Sequence, residues 1–249
     1  MSMQHAWQTQ LQQYAQEHNI NEAGQTFFST YYEDVDSEDL SRLPFSDLVA
    51  AARSHQRTAA MPRLPGHSHV EILQQNANAE FAADETVIDI VFDDLPFLID
   101  SLIMLLNRPS QQSGEAKVDM QLLVHPIFTI KRNDQGELQS WSRSRSTDNG
   151  RESWVQIRLN KLTDAHATQL RDEITNMLAT LYKVVSDEGL MRRALSQVTT
   201  QVQQQWHQDN DEVLAFLNWL SGNHFLFMGF CEYDLTQDEE GAQQLAIHQ

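Results

Sequence analysis

The stretch that decides the fold is residues 86–101, TVIDIVFDDLPFLIDS, in which a strand pattern is followed directly by a helix pattern. Thr86–Phe92 is rich in β-branched residues, which are enriched in strands. Apolar residues in Phe97–Leu106 recur at helical spacing, and Pro96 suits the first turn of that helix, where a missing N–H costs nothing. The stretch therefore predicts a helix packed against a sheet.

Further strands and a long helix are predicted on either side of this stretch. The strands are one around Val70 and Ile72, then Met120–Arg132, Leu138–Trp141 and Glu152–Leu159, with a hairpin turn at Asn133–Gly136. Thr163 and Asp164 can cap a long helix, which is expected either to bend or to split at Gly189. The resulting order β, β, α, β, β, β, α describes an α+β sandwich of the ferredoxin-like kind.

The flanking segments suggest three parts to the chain. Residues 1–66 predict a helical N-terminal subdomain that ends at the Pro62–Gly66 connector, because two prolines and a glycine cannot continue a helix. Residues 67–205 form the α+β domain. Residues 206–249 predict a linker helix, Glu212–Leu220, and an apolar strand, Phe225–Tyr233, which would be the first strand of a following domain.

Composition excludes several classes of protein. The 249 residues carry 17 Lys and Arg against 35 Asp and Glu, a formal charge of −18, so nucleic acid and anionic membranes are not expected partners. The single cysteine, Cys231, cannot form an internal disulfide and is interpreted as a packing residue. No secretion signal is visible near the start, so a cytoplasmic location is predicted.

The most site-like feature is an acidic cluster at the predicted strand-to-helix turn, formed by Asp93, Asp94 and Asp100. Carboxylates at a helix N-terminus are favoured by the helix dipole by about 0.3–1 kcal/mol each, which explains Asp94 without any ligand. Alternatively, Asp94, Asp100 and Ser101 hold the ammonium group of an amino acid, while nearby backbone amides hold its carboxylate. The site is therefore a hypothetical effector site.

Other chemical signals are weak. No two of the nine glycines lie within six residues of each other, so the chain has no glycine-rich phosphate loop and no dinucleotide cofactor is expected in this segment. His67 and His69 form the only close histidine pair and lack further metal ligands. His125 is interpreted as a core histidine, with a catalytic role as the less favoured alternative. We therefore expect no catalytic residue and no metal site.

Positive charge is concentrated in residues 131–161, where seven Lys and Arg face four Asp and Glu, a net charge of +3. Such a segment suits contact with an acidic neighbour, either another copy of the chain or an adjoining domain. An ordinary solvated hairpin explains the same charges equally well.

Several motifs, in this order, together resemble the N-terminal region of the large NAD-specific glutamate dehydrogenases of bacteria. They are Asp93–Ser101, His125–Phe128, Arg132–Gly136, Glu152–Trp154, Phe216–Leu220 and Asn223–Tyr233, and the resemblance covers about residues 25–235. It implies ACT-like regulatory modules, which are ferredoxin-like, often bind amino acids at the strand-to-helix turn and commonly assemble side by side. It also implies a separate catalytic domain that oxidises L-glutamate to 2-oxoglutarate and ammonia with NAD.

The combined interpretation is a non-catalytic regulatory and assembly segment of such a dehydrogenase, with NAD bound by other parts of the full-length protein. Its expected partners are the remaining domains of its own polypeptide, further copies in a homo-oligomer, and an amino-acid effector. The first alternative is a purely structural docking module that uses the basic hairpin and an exposed edge strand. The second is a small enzyme that uses Asp100 or His125.

Overall fold

The computed structural model describes residues 3–74, 85–108, 118–144, 150–205, 211–237 and 243–247. Contacts within the chain divide it into two units, Met1–Leu181 and Tyr182–Gln249. The predicted boundaries after residues 66 and 205 stay a prediction about domains.

The first unit begins with four helices, followed by strands and two further helices. The helices are α1 (Met3–Glu17), α2 (Glu22–Tyr31), α3 (Ser37–Ser41), α4 (Phe45–Ala60), α5 (Leu98–Leu106) and α6 (Asp164–Gln205). Asp36 caps α3 by accepting a hydrogen bond from the Glu38 N–H, and α4 ends before Pro62 as predicted. Thr163 caps α6, and the helix is not split at Gly189.

The sheet of the first unit has six antiparallel strands. They are β1 (His69–Gln74), β2 (Glu85–Asp93), β3 (Met120–Val124), β4 (Ile127–Arg132), β5 (Leu138–Ser142) and β6 (Gly150–Asn160). The order is β1-β2-β6-β4-β5, and β3 also pairs with β6. The predicted α+β class, with helices first and a sheet after them, is confirmed.

The predicted single strand Met120–Arg132 is wrong in one respect, because His125 and Pro126 divide it into β3 and β4. The two strands pair with successive stretches of β6, β3 with Gln156–Leu159 and β4 with Gly150–Ser153. Pro126 has no N–H to donate to a ladder, but its carbonyl still accepts a hydrogen bond of 3.0 Å from the Trp154 N–H.

The helices that precede the sheet share a hydrophobic core with it. Trp154 of β6 is fully buried, and its ring lies 4.6 Å from Phe128 of β4 and 6.3 Å from Phe27 of α2, centroid to centroid. Aromatic pairs at such distances each contribute about 0.5–1.5 kcal/mol beyond the area they bury. One face of the sheet is therefore covered by N-terminal helices, and α4 lies against β2.

The helix after β2 starts later than the sequence predicts. Pro96 lies in a turn, and α5 begins at Leu98 with Phe97 as its N-cap. Phe97 adopts a left-handed conformation, φ 66°, which is unusual for a bulky residue. The prediction placed Pro96 in the first helical turn because local spacing alone cannot reveal a left-handed residue between the proline and the helix.

The second unit contains the end of α6, then α7 (Asp211–Trp219), a π-helical turn at Leu220–His224, and a hairpin of β7 (Tyr233–Gln237) and β8 (Gln243–Ile247). The predicted strand Phe225–Tyr233 is wrong, since pairing starts only at Tyr233. The apolar run before it has no strand partner in the described chain, and Phe225, Met228 and Phe230 are exposed. Cys231 is also exposed, which corrects its interpretation as a packing residue.

Candidate functional site

Asp93 ends β2, and its carboxylate is engaged by the connector that follows α4. Its Oδ1 lies 3.0 Å from Nη2 of Arg63, and its Oδ2 accepts a hydrogen bond of 2.6 Å from the Gly66 N–H. Only 19% of the Asp93 side chain is exposed. Asp93 therefore ties the connector to the end of the sheet strand.

Asp94 has different partners from its neighbour. The Ser153 hydroxyl donates to Asp94 Oδ1 at 3.0 Å, and Nη2 of Arg151 lies 3.2 Å from Oδ2. The Asp94 N–H also donates to the Arg151 carbonyl at 3.0 Å. These contacts fix the direction in which the chain leaves β2 towards α5.

Asp100 and Ser101 lie on the first turns of α5. Asp100 is exposed, and its carboxylate has no hydrogen-bond or ion-pair partner among the described residues. Ser101 is half-buried, and its N–H donates to the Phe97 carbonyl at 2.9 Å. No side chain of the described chain caps α5. Of the four predicted site residues, two are thus held by arginines and two remain on the helix surface.

Sequence reasoning missed a buried ion network next to this turn. Glu152 of β6 accepts hydrogen bonds from two arginines, from Nη2 of Arg63 at 2.7 Å and from Nε of Arg132 at 2.7 Å, both at Oε1. A third bond, 3.0 Å long, joins Nη2 of Arg132 to Oε2. Burial acts to raise the pKa of Glu152, but the two arginines overcome it and hold the pKa below its ordinary value.

Arg132 also connects the network to the end of α4. It donates to the carbonyls of Ala59 at 2.8 Å, of Met61 at 3.0 Å and of Gly136 at 2.9 Å. The hairpin turn that contains Gly136 packs closely against the Arg63 backbone. A Cβ at Gly136 would lie 2.7 Å from the Arg63 carbonyl oxygen. The motif Arg132–Gly136 thus locks the helical layer to the sheet.

One sequence signal could have revealed this network. The predicted strand Glu152–Leu159 carries apolar residues on one face and alternating Glu152, Trp154, Gln156 and Arg158 on the other. In the structure both faces are buried. Polar side chains on a buried strand face need partners, so their presence beside Trp154 indicates buried polar contacts.

His125 is half-buried, and its Nε2 lies 3.0 Å from the Ser153 hydroxyl oxygen. Since that hydroxyl donates to Asp94, the histidine nitrogen is the donor in this contact. Burial lowers the pKa of His125, against the opposing effect of Asp94 and Asp34. The neutral His125 imidazole thus donates to the Ser153 hydroxyl, and that hydroxyl in turn donates to Asp94.

The histidine pair is not assembled into a metal site. Nε2 of His69 lies 3.0 Å from the Pro62 carbonyl, and Nδ1 of His67 lies 3.3 Å from the Pro65 carbonyl. Among the described residues, no group of three or more His, Cys, Asp and Glu side chains comes together as metal ligands would.

The basic segment 131–161 largely neutralises acidic groups of the chain itself. Four of its arginines form ion pairs: Arg132 with Glu152, Arg143 with Glu33 and Asp34, Arg151 with Asp94, and Arg158 with Glu85. Arg145 lies outside the described residues. The positive charge that suggested an acidic partner is therefore mostly engaged within the first unit.

Residues 27–174, more than half of the chain, match the family model described as "Glutamate dehydrogenase, ACT1 domain". The chain belongs to this family. The resemblance to the N-terminal region of NAD-specific glutamate dehydrogenases is thus confirmed, and the ACT-like character of the sheet domain with it.

Two curated relatives extend the comparison. The NAD-specific glutamate dehydrogenase of Halomonas elongata is 27% identical over 231 residues, which are 88% of this chain and 14% of the relative. The enzyme of the same name from Pseudomonas aeruginosa is 24% identical over 254 residues, 97% of this chain and 15% of the relative. This ACT1 segment thus spans a small part of the proteins it matches. No helix in its described part combines the length and apolar character needed to cross a bilayer.

Proposed function

We propose that the chain is an N-terminal regulatory and assembly segment of an NAD-dependent glutamate dehydrogenase. The full-length protein would oxidise L-glutamate to 2-oxoglutarate and ammonia in the cytoplasm, with NAD bound outside this segment. The observation that carries the proposal is the match of an ACT1 domain model to residues 27–174, together with relatives of which the chain covers 14% and 15%.

The assignment is tested by supplying the purified 249-residue chain with glutamate and NAD and following NADH absorbance. A longer polypeptide that includes the catalytic region serves as the positive control. We expect NADH from the longer polypeptide alone. Turnover by the isolated chain above background would contradict the non-catalytic assignment.

The regulatory part of the proposal concerns the start of α5. The exposed Asp100 carboxylate and the Ser101 hydroxyl would hold the ammonium group of an amino-acid effector, while first-turn amides of α5 hold its carboxylate. Asp93 and Asp94 would act by fixing the turn, because Arg63 and Arg151 already engage them. The absence of a side-chain cap on α5 within the described chain supports this placement.

Calorimetric titration with a panel of amino acids tests the effector site. Asp100→Asn should weaken binding by about ten- to a hundredfold, since a hydrogen bond to a charged group is worth about 1.5–3 kcal/mol. Asp172→Asn, which changes an exposed carboxylate of α6, is the matched control and should bind as the wild type does. Absence of heat with every amino acid would remove the effector hypothesis.

A second candidate function, structural docking, is supported by the second unit. The exposed side chains of Met228 and Phe230 border a groove of about 440 Å³ that Leu190, Met191 and Ala194 of α6 also line. We propose that another copy of the chain covers this surface in a homo-oligomer. Light scattering should then give a dimeric or larger mass that Met228→Asp reduces to the monomer, whereas a monomeric wild type would contradict assembly through this surface.

A further inference from the structure

A second buried polar cluster lies between α4 and the sheet, apart from the turn described above. Its centre is Asp89 of β2 and Gln156 of β6, which are directly opposite each other in the antiparallel register. Their side chains therefore project from the same sheet face, the one that α4 covers. Asp89 is 0% exposed and Gln156 is 1% exposed, so bulk solvent does not reach either side chain.

The backbone of α4 determines how the Gln156 amide is oriented. Its Nε2 donates to the Ala51 carbonyl at 3.0 Å and to Asp89 Oδ1 at 2.6 Å. A carbonyl can only accept, so the nitrogen and not the oxygen of the amide must face Ala51. Both N–H groups of Gln156 are thereby used, and its Oε1 remains a pure acceptor.

Two buried acceptor oxygens are then left without a donor in the described structure, Asp89 Oδ2 and Gln156 Oε1. Buried side-chain polar atoms are nearly always hydrogen-bonded, because leaving one unsatisfied destabilises the folded state. A single proton on Asp89 Oδ2 would turn that atom from an acceptor into a donor. Since Gln156 is the cross-strand partner of Asp89, one O–H could satisfy both oxygens at once.

We propose that Asp89 is a neutral carboxylic acid in the folded protein at neutral pH, that its Oδ2–H donates to Gln156 Oε1, and that α4 is thus held on the sheet by a contact that loosens when the proton leaves. This pH-sensitive contact is separate from the regulatory function proposed above and does not depend on it.

The histidine beside Asp89 is also held in its neutral form. Nε2 of His55 lies 3.0 Å from the Ile90 carbonyl, so that nitrogen carries the hydrogen. Its Nδ1 lies 2.7 Å from the Tyr31 hydroxyl, which can donate to it. The distance from Nδ1 to Asp89 Oδ1 is 4.0 Å, too long for a hydrogen bond. An Asp89–His55 ion pair would therefore have no hydrogen bond between its two partners. It would also leave Asp89 Oδ2 and Gln156 Oε1 without a donor.

The other titratable groups around Asp89 do not favour its ionised form over the neutral acid. Burial is the largest influence and raises the pKa of Asp89, against the opposing effects of His55, Gln156, Ser54 and Arg57. Burial likewise lowers the pKa of His55. Tyr31 and Tyr32 keep their protons, because burial raises the pKa of each. Arg158 pairs with Glu85 at 2.7 Å through Nη1 and donates to the Asp47 carbonyl through Nη2, while its Nε has no partner among the described residues.

The sign of the pH effect follows from the raised pKa. Between the ordinary pKa of an aspartate, about 3.9, and its higher value in the folded chain, the folded state binds more protons than the unfolded state. Stability from this group is complete at the acidic end of that interval and is lost as pH rises through the folded pKa. An ionised, paired Asp89 would give the opposite slope.

Asp89→Asn separates the two charge states, because asparagine has the shape and hydrogen-bond pattern of the protonated acid. Its NH₂ can donate to Gln156 Oε1 while its oxygen accepts from Nε2. We expect the variant to melt within a few degrees of the wild type at neutral pH. As pH rises, its melting temperature should fall less than that of the wild type, so the difference between them grows in favour of the variant. Asp172→Asn should follow the wild type throughout.

A large drop in the melting temperature of Asp89→Asn at neutral pH, with no drop for Asp172→Asn, would overturn the proposal, since it would mean that a needed negative charge was removed. Infrared spectroscopy of the wild type provides a measurement that does not depend on the variant folding. The C=O stretch of a protonated carboxyl group, titrating as pH rises, is expected for the native chain. A spectrum with carboxylate bands alone at neutral pH would also overturn it.

Discussion

Two carboxyl groups on the same face of the sheet, Glu152 and Asp89, are buried to nearly the same degree but have opposite surroundings. Glu152 is 2% exposed and contacts two guanidinium groups, whereas Asp89 is 0% exposed and contacts an amide. Burial raises the pKa of both, yet the arginines lower the net pKa of Glu152 while that of Asp89 stays raised. The groups in contact with each buried acid, and not the depth of burial, therefore determine its charge.

The largest expected effect comes from the same acid-to-amide substitution at the two sites. Glu152→Gln should lower the free energy of unfolding by about 3–5 kcal/mol, because it leaves Arg132 and Arg63 buried without their shared anion. Asp89→Asn, if the amide replaces a neutral acid, should cost less than about 1 kcal/mol at neutral pH. Urea denaturation of both variants measures the contrast. Equal losses of unfolding free energy in the two variants would show that the two acids do not differ in charge state.

The next effect tests the turn that holds Arg63 against Glu152. Gly136 has φ 81°, and an added Cβ would lie 2.7 Å from the Arg63 carbonyl oxygen, so Gly136→Ala should cost about 1–3 kcal/mol. Gly150→Ala is a matched control, since a Cβ there meets nothing within 4 Å. If both variants unfold at the same urea concentration, the close approach of the turn to Arg63 does not matter for stability.

The pH dependence of stability also distinguishes Glu152 from Asp89. The lowered pKa of Glu152 contributes stability that is present above the ordinary pKa of a glutamate, about 4.3, and is lost as pH falls through the folded value. Asp89 gives the opposite slope towards higher pH. Glu152→Gln should therefore flatten the profile below about pH 4.3, and Asp89→Asn should flatten the decline that begins above about pH 3.9. Thermal unfolding over a pH series shows whether each substitution acts on its own side.

The smallest effect on stability is expected at Asp100. Its carboxylate is exposed and contacts no partner among the described residues, so Asp100→Asn should change the free energy of unfolding by no more than about 0.5 kcal/mol. A much larger loss in urea denaturation would show that Asp100 has a structural role, like that of Glu152, and would undermine its use as a ligand contact.

Local patterns predicted much of the fold but not the contacts that determine charge. β-branched runs and helical spacing were sufficient for β2, β6 and the long helix after Thr163. These patterns failed at Pro126, where the strand divides because β3 and β4 pair with successive stretches of β6. They also failed at Phe97, whose left-handed conformation no local spacing reveals. The run from Phe225 looked like a strand, but it has no strand partner in the described chain.

The candidate site illustrates the same limit. The sequence singled out Asp93 and Asp94, because acidic residues at a strand-to-helix turn form a local pattern. Their partners were not visible: Arg63 lies 30 residues before Asp93, and 89 residues before Glu152. Only the folded chain brings these groups together, so the sequence could propose a ligand-binding cluster without revealing that two of its carboxylates were already engaged.

Carbon-13 NMR of the carboxyl carbons of Glu152 and Asp89, in one sample of the wild-type chain at neutral pH, measures both charge states together. We expect the chemical shift of an ionised carboxylate for Glu152 and that of a protonated acid for Asp89. Shifts that place both residues in the same charge state would contradict this expectation.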